Sequence, residues 1–190
     1  MFISKKEPAT ISKKHRYSIR AKNWVGGVPV CVVYPNSYYT GMSNLGFQLV
    51  YSLFASDNRF VTDRAFSSPH SFEFGRKLGE FYVLAFSISY ENDYINILKM
   101  LQDARIPLDR DDRENKFPLL IAGGAAVSLN PGPLSQVMDV FFIGEVEDTF
   151  KQISNTIVRA YEKSEPKSYL LKELIQIDGI FIPSFYSYEF

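Results

Sequence analysis

Only one cysteine, Cys31, and two histidines, His15 and His70, occur among the 190 residues. A lone thiol forms no disulfide within the chain and cannot hold an iron–sulfur cluster, which needs several thiolates. The histidines are far apart, and Cys31 sits inside an apolar run, so the spacing supports no His/Cys metal site. Cys31 reads as a small core residue. An excess of either charge is also missing, with 21 Lys and Arg against 21 Asp and Glu. No net field therefore draws in nucleic acid or an anionic membrane surface. No apolar run is long enough to span a bilayer, and the opening MFISKK lacks the apolar core of a signal peptide. The expected location is the cytoplasm.

Several cofactor signatures are absent as well. Gly41 and Gly46 have the glycine spacing of a Walker loop, but Phe47 stands where its lysine belongs. There is no G-x-G-x-x-G. A phosphoacceptor receiver domain needs acids after its first strand, an aspartate after its third and a lysine after its fifth; Asn36, Ser87 and Gly144 stand in those neighbourhoods. Ser37, Ser43, Ser87 and Ser89 lack the G-x-S-x-G elbow of a serine hydrolase. No residue is assigned a catalytic or metal-ligating role.

What is present is a core. Hydrophobic residues make up 46% of the chain and aromatics 15%, which excludes disorder and suffices for one good-sized domain. Continuous apolar runs at 28–34 and 81–88 read as strands buried on both faces. Strands are also expected at 59–66, 117–122 and 139–143, and helices at 43–56, 92–104 and 145–161. Residues 67–80 read as a long loop, 107–116 as a charged surface connection, and 17–20 as a possible extended piece in an irregular amino-terminal stretch. Buried strands alternating with amphipathic helices imply a doubly wound α/β fold. The expected sheet has five parallel strands in flavodoxin-like order 2-1-3-4-5, with helices on both faces.

Ligands of open parallel sheets bind beyond the carboxyl ends of the strands, near the reversal of strand order. The loops there read NSYYTGMSN, SISYEND and GGAAVSLNPGP, small, hydroxylated and poor in charge. They suit a bulky, mostly neutral ligand. Residues 38–43, YYTGMS, match all but the first position of the [ST]-x-T-G-x-[ST] turn with which flavodoxins hold the phosphate of FMN. Backbone N–H groups at a helix start favour phosphate. The same residues equally suit a helix cap, in which Thr40 or Ser43 satisfies the first helical N–H groups.

Four segments in order, VCVVYPNSYYTGMSNLGFQLVYSLF, SFEFGRKLGEFYVLAFSISYENDYINILKMLQDARIPL, PLLIAGGAAVSLNPGPLSQVMDVFFIGEVED and IDGIFIPSFY, carry a wider resemblance. With them the chain resembles the N-terminal, cobalamin-binding-like domain of an uncharacterised group of radical S-adenosylmethionine (radical SAM) proteins. In that group a barrel follows whose C-x-x-x-C-x-x-C binds a 4Fe-4S cluster and S-adenosylmethionine; neither the motif nor the barrel is found in this sequence. Cobalamin domains of the methionine synthase type carry D-x-H-x-x-G, S-x-L and G-G after the first, third and fourth strands. The matching positions here are Asn36, Tyr38 and Gly41, then Ser87 and Ser89, then Gly123 and Gly124. Tyr38 takes the place of the cobalt-binding histidine, and a phenol with pKa of about 10 is a poor substitute. His70 is the one conceivable replacement.

The resemblance implies a cobalamin site without histidine ligation, contacted by Asn36, Ser37, Tyr38, Thr40, Gly41, Ser87, Ser89, Tyr90, Gly123, Gly124 and Ala125. It implies a radical SAM barrel as partner, in the same polypeptide or another, and no catalysis by this chain alone. The expected organisation is an extension at 1–27, the α/β domain at 28–163, and a segment at 164–190 leading toward the barrel. That last segment is expected to hold a short helix at 169–177 and an edge strand at 180–183. The chain reads as an excised domain or a natural remnant. The alternatives are a flavodoxin-like electron carrier binding FMN and a degenerate docking module.

Overall fold

The computed structural model describes residues 26–186; the extension up to residue 25 and the extended piece expected at 17–20 lie outside them. The elements run β1 (Val28–Tyr34), α1 (Tyr38–Met42), α2 (Leu45–Ser56), β2 (Phe60–Phe66), β3 (Val83–Ser87), α3 (Tyr94–Asp103), β4 (Leu119–Gly123), α4 (Ala125–Leu129), β5 (Val140–Phe142), α5 (Phe150–Glu162), α6 (Lys167–Leu174) and β6 (Ile180–Phe181). The sheet order is β2-β1-β3-β4-β5-β6. The first five strands are parallel, and β6 is an antiparallel edge paired with β5 through Phe141↔Phe181 and Phe142↔Ile180. The doubly wound α/β fold is therefore present, with six strands instead of five.

Alternation along the strands builds two cores. Val28, Val30, Val32 and Tyr34 of β1 face α2, α5 and α6, together with Val83 and Ala85 of β3. Cys31 and Val33 face the other way, with Leu84 and Phe86, toward α3 and α4. All seven residues of β1 are buried, as its unbroken apolar run requires of a strand covered on both sides.

Two helices were not expected, and two others start later than expected. The loop after β1 winds into α1 because Ser37 caps it, accepting from the Thr40 N–H. Its glycine permits close packing: a Cβ on Gly41 would lie 2.6 Å from the Phe66 ring. The helix expected at 43–56 accordingly begins at Leu45, capped by Asn44. The GGAAVSL segment, expected as loop, contains α4. The helix expected from 145 begins only at Phe150, since Gly144 has a φ of +111° and the following residues form turns.

The segment after 164 completes the domain's own core. Leu170, Leu171, Leu174, Ile177 and Ile182 are buried in the α2 and α5 face. Its anchor is ionic. Lys167, at the start of α6, is 1% exposed, and its Nζ lies 2.7 Å from Oδ2 of the equally buried Asp139. Asp139 precedes β5 and also accepts from the Leu120 N–H at 2.8 Å. Arg113 approaches its other oxygen at 3.7 Å and donates to the carbonyls of Pro107, Leu108, Asp109 and Val137. This cluster closes the amino end of the sheet.

Candidate functional site

At the opposite end the packing stops short. On the α2/α5/α6 face a cavity of about 320 Å³ opens beyond the carboxyl ends of β3, β4 and β5. Its floor is the sheet itself, from Ala85, Ile121 and Phe142, and its walls include Leu49, Phe150 and Leu174. The volume is at the lower end of the range for small-molecule sites, and the apolar lining with few polar groups is typical of them. Ile121 is only partly buried in the middle of a strand because no side chain of the described residues fills this space.

Ser87 is the polar group inside. It ends β3, is 8% exposed and lines the cavity, yet its hydroxyl has no partner among the described residues. The hydroxyl borders the open cavity, where water can satisfy it and a ligand atom could take that water's place. Gly123 sits beside it as the last residue of β4. A Cβ on Gly123 would make ordinary contact with Phe142 at 3.7 Å, so larger side chains there are directed by space, not by backbone strain. Gly124 differs. Its φ is +111°, and a Cβ would lie 2.5 Å from the Ile88 carbonyl oxygen, so glycine is demanded by the turn out of the strand.

The remaining sequence-selected residues divide among other tasks. Asn36 donates from Nδ2 to Asp93 Oδ1 at 2.8 Å, and Asn44 donates to the Ser89 hydroxyl at 2.8 Å. These two links tie the loop after β1 to the loop after β3. The Ser37 and Thr40 hydroxyls bond to each other at 2.7 Å in the cap of α1. Tyr38, at the position of the resembled histidine, stacks on Phe72 with ring centroids 5.0 Å apart and meets Phe66 edge-on at 5.1 Å. It packs over β2, away from the cavity lining. His70 sits in a bridge with Lys77 on the far loop. Tyr90 and Thr40 border a separate, shallow depression with Tyr39 and Ser43. Ala125 is exposed at the start of α4. Of the eleven residues, the cavity thus gathers Ser87, Gly123 and Gly124.

Sequence reasoning missed the other walls. Ile121 and Phe142 were visible only as strand residues, and nothing in their pattern marks a face left uncovered. Glu145 and Glu147, which also line the cavity, follow directly on β5 in the run FFIGEVED. That is the fifth strand's carboxyl-end loop, and the strand-end rule alone could have nominated it.

A second ionic group lies on the edge strand β2. Arg64 donates to Glu73 from Nε at 2.7 Å, and Asp63 accepts from the Glu73 and Phe74 N–H groups at 2.9 and 3.0 Å. The loop after β2 is pinned along the sheet edge by these contacts. Burial pushes the Glu73 carboxyl up to about 7, with Asp63 adding to the rise and Arg64 opposing it. Among the described residues, no group of three or more His, Cys, Asp or Glu is arranged to hold a metal ion, and no helix is long and apolar enough to cross a membrane.

A family model described as radical SAM proteins, N-terminal, matches residues 46–183, well over half of the chain. Among curated proteins, an uncharacterized protein of Methanocaldococcus jannaschii is 26% identical over 118 residues, covering 62% of this chain and 24% of the relative. The match spans about a quarter of that relative's length. No solved structure matches. The matched residues run from α2 to the end of the sheet and include the whole cavity, so the chain belongs to the N-terminal domain family of radical SAM proteins.

Proposed function

We propose that this domain is an accessory module of a radical SAM protein and seats the nucleotide base of a corrinoid in the cavity at the carboxyl end of its sheet. The supporting observation is the cavity itself, an apolar space at the strand ends lined by the Ser87 hydroxyl, which has no partner among the described residues, beside Gly123. Both residues hold positions that the cobalamin-domain resemblance singles out. A flat, largely apolar heteroaromatic group fits this lining, with Ser87 available to a ring nitrogen or a ribose hydroxyl.

Among the described residues, the donor set does not extend to cobalt. Tyr38 is committed to the Phe66 and Phe72 rings, and His70 lies on another loop. This chain therefore orients the corrinoid and shields its base from water, without supplying a nitrogen to the metal. Alkyl or electron transfer at cobalt is the chemistry a bound corrinoid supplies. Cluster and S-adenosylmethionine chemistry belong to a catalytic barrel outside this sequence.

A second reading, a docking module, draws on the same end of the sheet. Tyr39, Leu45, Tyr90, Ile95 and Leu129 are 61–86% exposed there, on the loops and first helical turns after β1, β3 and β4. FMN finds less support, because the Ser37 and Thr40 hydroxyls that would meet its phosphate are engaged with each other.

Titration of the chain with hydroxocobalamin, followed by absorption, tests the reading. Wild type is expected to bind at tens of micromolar protein or below, and Gly123→Leu to lose binding as the new side chain fills the cavity. Tyr38→Phe is expected to leave affinity and spectrum unchanged. Equal binding by Gly123→Leu would mean the ligand sits elsewhere, and no binding by wild type would favour the docking module.

A further inference from the structure

Two acids stand at the mouth of the cavity. Glu145 and Glu147 both line it, on the turn between β5 and α5, and both are exposed. Neither has an ion-pair or hydrogen-bonding partner for its carboxylate among the described residues, and no lysine or arginine lines the cavity. The dipole of α5 favours negative charge just ahead of its first turn, which accounts for Glu147 and Asp148. It does not account for Glu145, which is further from the helix and adjoins Gly144. The cavity therefore combines an acidic rim, an apolar wall and, on the largely buried Ser87, a hydroxyl with no partner among the described residues.

We infer that Glu145 and Glu147 form a charge filter: the cavity admits a neutral or cationic aromatic ligand whose polar edge meets Ser87, and rejects a phosphate monoester. The inference rests on the reading of the cavity as the seat of a cofactor base, and it adds the charge that such a ligand carries. A doubly charged phosphate held near two carboxylates, with apolar protein on one side, is repelled by an amount corresponding to roughly tenfold or more in affinity at low salt. The repulsion falls with ionic strength, since the rim is exposed to solvent.

The test uses the full chain at low salt and two ligand pairs that differ only in a phosphate. The first pair is the riboside of 5,6-dimethylbenzimidazole and its 5′-phosphate; the second is riboflavin and FMN. The filter predicts that the neutral member binds at least about tenfold tighter, and that the gap narrows at high salt. It also predicts that the gap closes in the Glu145→Gln/Glu147→Gln double variant. Equal binding of riboside and phosphate by wild type, or a gap that persists in the double variant, overturns the filter and leaves the corrinoid reading standing. Binding of riboflavin over FMN, with the same dependence on the two acids but no binding of the riboside, upholds the filter and removes the corrinoid reading. Failure of all four ligands to bind overturns the filter, and the hydroxocobalamin titration decides the corrinoid reading separately.

Discussion

The two ends of the sheet are built on opposite terms. At the amino end, Asp139, Lys167 and Arg113 are charged, almost fully buried, and held by one another and by backbone groups. At the carboxyl end the walls are apolar, the Ser87 hydroxyl has no partner among the described residues, and a cavity of about 320 Å³ lies between sheet and helices. The first arrangement is costly to disturb and has no room for a ligand. The second is cheap to alter and leaves the Ser87 hydroxyl open to a ligand. Stability is concentrated at one end, and the space that could take a ligand lies at the other.

The largest effect is expected from breaking the amino end. Asp139→Ala leaves the Lys167 ammonium and the Arg113 guanidinium buried without their carboxylate, and removal of one partner from such a group costs about 3–5 kcal/mol. Urea unfolding should show a correspondingly lower midpoint. Burial already pushes Lys167 below the ordinary lysine range, against the pull of Asp139, so without that pull its ammonium is still easier to deprotonate. An unchanged midpoint would show that the cluster does not anchor α6.

Neighbouring glycines at the carboxyl end sharpen the contrast. Gly124→Ala meets both an unfavourable φ and the Ile88 backbone, and should cost about 1–3 kcal/mol. Gly123→Ala makes only ordinary contact and should remain within about 0.5 kcal/mol of wild type. Similar losses for the two would contradict the division between a turn glycine and a cavity glycine.

A pH effect follows from the edge of the sheet. The folded chain holds the Glu73 proton more tightly than the unfolded chain does, because burial raises that carboxyl to about 7. Stability should therefore be greatest below the ordinary carboxylate pKa, fall as pH rises toward 7, and level off above it. Glu73→Gln should flatten this slope in melts taken across that range; an unaltered slope would assign it to other groups.

The smallest effect is expected at Ser87. Removing a hydroxyl that has no partner loses no hydrogen bond, so Ser87→Ala should be neutral within about 0.5 kcal/mol or slightly stabilising. A large loss would reveal a partner and remove the argument that Ser87 awaits a ligand.

The strands were legible because burial on both faces writes itself as unbroken apolar runs, as in VPVCVVY and VLAFS. Strand order followed from the alternation with helices. The short helices α1 and α4 were not legible, since five residues carry too little periodicity and their formation depends on a cap or a strand exit. The cavity lining was legible in part for a similar reason. Ser87 and Gly123 lie at strand ends, where topology directs attention, whereas Asn36 and Tyr38 share that location but are used by Asp93 and the Phe66–Phe72 rings. Which side chains a neighbour will occupy is a tertiary fact. The cavity itself comes from a mismatch between the sheet and the helices over it, and no local pattern encodes that.

The central claim, that the cavity seats a corrinoid's base, is tested most directly by comparing hydroxocobalamin with cobinamide, which lacks the nucleotide tail, in calorimetric titrations of the same chain. If the cavity holds the base, cobinamide should bind at least about a hundredfold more weakly, since it forgoes burial of an aromatic group worth roughly 3 kcal/mol. Equal affinities for the two would contradict the account.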